Sequence, residues 1–135
     1  MTGYDALAEV YEWLISDAKL TPAEFAAAFD DVIGLLPPHA HVLDSSCGTG
    51  QLAVGLAGLG MRVVASDASA AMVRRTEKLA EEHAASLRTV RAGWHELPDH
   101  LVDASFDMAF CVGNSLHHAE GASGRLAALE SMSRL

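Results

Sequence analysis

Two acids at a fixed separation constrain this chain more than anything else in it. The run Val42-Leu43-Asp44-Ser45-Ser46-Cys47-Gly48-Thr49-Gly50 is apolar, then acidic, then glycine-rich, and Asp67 follows seventeen residues after Gly50. Residues 41–45 read as a buried strand. Residues 49–59 read as a helix, weakened by Gly55 and Gly58. Residues 61–66 read as a second strand that ends at Asp67. Strand, glycine turn, helix and strand form the repeating unit of an open α/β sheet. Such sheets bind ligands beyond the carboxyl ends of their strands.

The flanking segments extend the pattern. Tyr4, Leu7, Ala8, Tyr11, Leu14 and Ile15 recur at helical spacing, which predicts a helix over residues 3–17. Thr21-Pro22-Ala23-Glu24 is a capping box with proline at the first helical position. It opens a second helix with Phe25, Phe29, Val32 and Leu36 on one face, closed by Pro37-Pro38. Ser69 caps a helix to about residue 84, with Met72, Val73, Thr76, Leu79 and Ala80 as its inner stripe. Residues 87–91 make a short polar third strand and residues 106–112 an apolar fourth; a further helix starts at Gly121. The order predicts a parallel sheet with helices on both faces.

Bulk properties exclude several classes. A chain of 135 residues, half of them apolar, suits one domain with a real core. No apolar run approaches the roughly 18 residues of a membrane span. Residues 1–5 show neither a basic segment nor a signal-peptide core, so a cytoplasmic location is expected. The net charge of -9 argues against binding to nucleic acid phosphate and suits a pocket for a cation. Cys47 and Cys111 are expected to be reduced thiols near one sheet edge, close enough for an accidental disulfide after purification. Neither has metal-ligand spacing, and no metal is expected.

Gly48-Thr49-Gly50-Gln51-Leu52-Ala53 fits G-x-G-x-x-A. This pattern serves both dinucleotides and S-adenosylmethionine, because backbone without side chains lets a ligand sit against a helix N-terminus. Asp44 separates the two. An acid at the strand end repels a pyrophosphate and attracts the ammonium of a methionine moiety. An NAD-dependent oxidoreductase therefore conflicts with Asp44. Asp67, at the next strand end, is placed to accept both ribose hydroxyls.

At these residues the chain resembles the class I S-adenosylmethionine-dependent methyltransferases. Asp44 to Gly50 is similar to their first motif and Asp67-Ala68-Ser69-Ala70-Ala71-Met72 to their second. Cys111-Val112-Gly113-Asn114-Ser115-Leu116-His117-His118 is similar to the fourth-strand motif of the glycine and sarcosine N-methyltransferases. Tyr4, nine residues before Trp13, agrees with that family as well. The resemblance implies a Rossmann-like sheet of strand order 3-2-1-4. Residues 1–36 would be an N-terminal helical cap and residues 37–135 the N-terminal half of the methyltransferase domain.

It also implies roles. Asp44 and the backbone around Cys47 and Gly48 would meet the methionine end of the cofactor, Asp67 would hold the ribose, and Gly50 and Ala68 would also bind the cofactor. Met72 and Trp94 would flank the adenine. Val112, Gly113 and His118 would border the sulfonium and the acceptor amine, and Asn114 would bind the cofactor. Tyr4 and Trp13 would cover the site, with Tyr4 and His118 as the groups nearest the chemistry. Each aromatic has a plainer reading as helix-face packing or a loop side chain, and the His117-His118 pair as a solvated loop. One position departs from the family. Gly93 stands where a polar residue hydrogen-bonds the adenine amino group, so backbone amides such as those of Trp94 or His95 would have to serve.

The expected activity is methyl transfer to a small amine such as glycine or sarcosine. The other reading is a cofactor-binding module completed by a partner chain. The fourth strand would lie at an edge of the sheet, and pairing there predicts a homodimer.

Overall fold

The computed structural model describes residues 20–102, 104–112, 116 and 119–135. Its centre is a parallel sheet of β1 (His41–Asp44), β2 (Arg62–Asp67), β3 (Arg88–Arg91) and β4 (Met108–Phe110), in the order β3-β2-β1-β4. Asp44 pairs with Ala65 on one side and with Phe110 on the other, and Asp67 pairs with Arg91. The two acids thus end neighbouring strands at the same edge. Side chains alternate across a strand, so Val42 and Leu43 enter opposite faces. Val42 packs with Leu52, Leu56, Val63 and Phe110. Leu43 packs with Val64, Val90, Leu97 and Met132. A sheet buried on both faces explains the nearly continuous apolar spelling of β1 and β2.

Helix α1 (Pro22–Ala27) opens on its capping box. The Glu24 N–H donates to Thr21 Oγ1 at 3.2 Å, and the Thr21 N–H donates to Glu24 Oε2 at 2.7 Å. The single helix expected through Leu36 is interrupted. The backbone leaves helical geometry at Phe29, and α2 (Asp30–Ile33) restarts with two acids in its first turn. Acids there are favoured by the helix dipole. Phe29 meets Phe110 edge-on, with centroids 6.1 Å apart. Ile33 and Leu36 still reach the core, whereas Val32 is left 37% exposed. The apolar stripe survives across a broken axis.

Helix α3 (Gln51–Gly58) follows β1, and α4 (Ala70–Glu82) follows β2. Ser69 caps α4 as expected, accepting the Met72 N–H at 3.2 Å. After β3 a 3-10 turn at Trp94–Glu96 runs into α5 (Leu97–His100), where the sequence reading had only a loop. Leu97 and Leu101, four apart, are both buried, and Pro98 sits in the first turn. The fourth strand is shorter than expected. The Asp107 N–H donates to His41 O at 2.7 Å and its side chain accepts the His41 N–H at 2.8 Å, and the paired register runs from Met108. Helix α6 (Gly121–Ser133) lays Ala128 and Met132 on the second core. Among the described residues no helix is long and apolar enough to cross a membrane.

Candidate functional site

The site forms where β1 and β2 end. The Cys47 N–H donates to Ser66 O at 2.9 Å, and the Gly50 N–H donates to Cys47 O at 2.9 Å. The chain therefore turns sharply off β1 while staying tied to β2. Gly48 and Gly50 both have positive φ, +54° and +96°. At Gly48 nothing lies within 4 Å of where a Cβ would stand, so the backbone faces open space. At Gly50 a Cβ would stand 2.9 Å from Thr76 Cα, so only glycine lets the turn touch α4.

Asp67 fastens this turn. Its Oδ2 accepts the Gly48 N–H at 3.0 Å and its Oδ1 accepts the Ser69 N–H at 2.9 Å. One carboxylate at the end of β2 thus sets both the glycine turn and the start of α4. Ser45 ties the other side, donating from its N–H and its hydroxyl to Phe110 O, each at 2.9 Å.

Asp44 is buried at 1% exposure, and its Oδ1 has no hydrogen-bond partner among the described residues. Burial pushes its pKa up to about 7; a bond from the Ser46 N–H opposes this, and the like charge of Asp67 adds to it. An orphaned carboxylate oxygen beside a second acid favours a cation. An ammonium supplied by a ligand fits that requirement, and a pyrophosphate does not.

The Cys47 thiol is buried, and its pKa is raised well above the ordinary value, first by burial and then by Asp44. It stays a thiol and is no nucleophile. It packs with Leu52 and Phe110, while Cys111 packs with Leu43 and Trp94. The two cysteines are free thiols near one sheet edge, packed in different core clusters.

Met72 is buried on α4, and Ala68 follows β2, its carbonyl 3.4 Å from Arg91 Nε. Val112 packs against the first core cluster. The Gly93 N–H donates to Glu96 Oε2 at 2.6 Å. Trp94 lies against the second cluster with its indole Nε1 buried and without a partner among the described residues. Tyr4, Trp13, Gly113, Asn114 and His118 lie outside the described residues.

Sequence reasoning missed Thr76 as a site residue and placed it only in an apolar stripe. It is fully buried, and its hydroxyl donates to Gly48 O at 3.0 Å. A polar residue in the middle of that stripe was the available signal. Among the described residues no group of three His, Cys, Asp or Glu side chains is placed to hold a metal. An open groove lined by Pro22, Asp30, Met61 and His83 lies at the other end of the strands, away from both acids.

Comparison with known proteins agrees with this geometry. Residues 42–135 match the family described as "Methyltransferase domain". The chain is similar to the glycine/sarcosine N-methyltransferase of Aphanothece halophytica, 34% identical over 78 residues, which is 58% of this chain and 29% of that protein. The enzyme of the same name from Halorhodospira halochloris matches over the same shares, also at 34%. Among solved structures, the CcbJ methyltransferase of Streptomyces caelestis superposes with a TM-score of 0.83 at 26% identity, over 99% of this chain and 53% of that one. An S-adenosylmethionine-dependent methyltransferase from Clostridium acetobutylicum has the same fold, with a TM-score of 0.73 at 21% identity, over 98% of this chain and 53% of that one. The chain spans about half the length of these two solved proteins, and its match covers less than a third of the curated relatives.

Proposed function

The chain belongs to the methyltransferase-domain family, whose cofactor is S-adenosylmethionine, and on that premise we propose that it transfers a methyl group to a small-molecule amine of the glycine or sarcosine kind. The observation that carries the cofactor reading is Asp44: a buried carboxyl with an orphaned oxygen, one strand from Asp67, over an open glycine turn. Asp44 meets the ammonium, and Asp67 presents its carboxylate to the ribose while holding Gly48. The amine acceptor is supported by the 34% identity to the glycine/sarcosine enzymes and by the Gly113-Asn114-Ser115-x-x-His118 spelling.

Bound S-adenosylmethionine supplies a methyl group already activated on a sulfonium. The chain has then to align the acceptor and exclude water. No covalent intermediate on the protein is needed, in keeping with a Cys47 thiol held protonated. Tyr4 and His118 are assigned to the covering and electrostatic roles near the methyl group.

Titration with S-adenosylhomocysteine by calorimetry tests the cofactor reading. Micromolar binding is expected for the chain, strong loss in Asp67→Ala, and no binding of NAD. A folded chain that prefers NAD refutes it. A second reading, a cofactor-binding module completed by a partner chain, draws on the open β4 edge. Tight cofactor binding without turnover of glycine or sarcosine, followed by turnover once a partner is added, selects that reading.

A further inference from the structure

The glycine turn is held from both sides of one peptide unit. Asp67 takes the Gly48 N–H, and Thr76 donates its hydroxyl hydrogen to the Gly48 carbonyl at 3.0 Å. Thr76 sits in the middle of α4 at 0% exposure. Its Oγ1 is 3.4 Å from Cys47 Sγ. Thr76 has one hydroxyl hydrogen, already given to Gly48, so the thiol is the donor of that pair. The buried Cys47 holds its proton, as that direction requires. The result is a closed relay of Cys47 S–H to Thr76 Oγ1–H to Gly48 O, wrapped around the turn. The contact is tight: a Cβ at Gly50 would stand 2.9 Å from Thr76 Oγ1.

The same helix carries Met72, one turn earlier, and begins at Ser69, whose N–H is held by Asp67. One rigid element therefore connects the turn at the methionine end of the site to the side chain assigned to the adenine end. We propose that Thr76 is a positioning residue of the cofactor site, its hydroxyl fixing the Gly48 peptide in register with α4 so that both ends of the cofactor meet a preformed surface. It acts through Gly48 and touches no reacting atom. This rests on the cofactor reading above.

Two substitutions separate the hydroxyl from the packing. Thr76→Val keeps the shape and removes the donor. Thr76→Ser keeps the donor and removes the methyl. Calorimetry with S-adenosylhomocysteine is expected to give Thr76→Ser within about threefold of the parent and Thr76→Val weaker by roughly tenfold, the effect of one lost buried hydrogen bond with its acceptor left unpaired. Hydrogen exchange in the ligand-free chain is expected to quicken at Gly48 to Gly50 in Thr76→Val, with the β1 and β2 amides unchanged. Equal binding by Thr76→Val and the parent overturns the proposal, as does equal weakening in both variants, which indicates packing alone. If Thr76→Val does not fold, the parent protein still decides. Its Thr76 hydroxyl proton is expected to exchange slowly by NMR, and a rapidly exchanging hydroxyl overturns the clamp. A parent chain that folds, shows the slow hydroxyl and binds no S-adenosylhomocysteine refutes the cofactor reading instead.

Discussion

Asp44 is the residue on which the electrostatics of the site turn. Its buried carboxyl lacks a partner for one oxygen, and its pKa is raised to about 7. A carboxyl raised in the folded state stabilises that state fully below the unfolded pKa, near 4, and loses the contribution as pH climbs through about 7. The ligand-free chain is therefore expected to lose stability between about pH 4 and about pH 7 and to level off above that. A shift of this size corresponds to about 4 kcal/mol at most. Asp44→Asn removes that slope and melts higher than the parent at pH 8. A ligand that brings an ammonium to Asp44 has the opposite dependence: its binding tightens as Asp44 ionises. Thermal melts across pH, with and without S-adenosylhomocysteine, check both signs, and an unchanged slope in Asp44→Asn refutes the assignment.

At the scale of elements, the contact of α1 with α3 sets how the helical layer sits on the sheet. Gly55 reads from sequence as a weakness in α3, since glycine costs about 1 kcal/mol against alanine in a helix. In the fold it is a requirement. A Cβ at Gly55 would lie 2.2 Å from Pro22 O and 2.8 Å from Ala26 Cβ. The backbone of α1 occupies the space a side chain would take. Gly55→Ala is thus expected to destabilise by about 1–3 kcal/mol despite the gain in helix propensity. Urea denaturation should show a lower midpoint with an unchanged slope. A stabilised variant would mean that α1 does not pack as described. The interruption at Phe29 belongs to the same layer: periodicity predicted one helix, and packing of Phe29 on Phe110 goes with two.

For the whole molecule, the two edges of the sheet differ in kind. β3 exposes Arg88 and Arg91, charges that discourage pairing with another strand. β4 presents Met108, Ala109 and Phe110, with no lysine or proline to blunt it. Its pairing with β1 uses one side, and no strand covers the other among the described residues. Exposed Val102, Leu126 and Leu129 belong to the segments that follow β3 and β4. We propose that this edge pairs with a second copy of the chain to form a homodimer. Light scattering should find a dimer, and Ala109→Lys should shift it to monomer. A monodisperse, folded parent monomer sinks this prediction.

The sequence by itself determined a parallel α/β sheet, and its strand order came with the resemblance to the class I methyltransferases. The glycine turn and the two acids at strand ends are local spellings, and right-handed crossovers make consecutive strands of such a sheet parallel. The Ser69 cap and the Thr21 box were legible for the same reason: each is satisfied within four residues of itself. Tertiary structure decided what depends on distant partners. Val32 and Leu36 share a helical face in sequence, yet the break at Phe29 buries them unequally. Leu97 and Leu101 are buried because a short helix and its cap lay them on the second core cluster. Thr76 acquired its partners, Cys47 and Gly48, across 29 and 28 residues of chain. Hydrophobic period and capping are written along the chain, whereas who satisfies a buried hydroxyl is settled only when the second βα unit closes on the first.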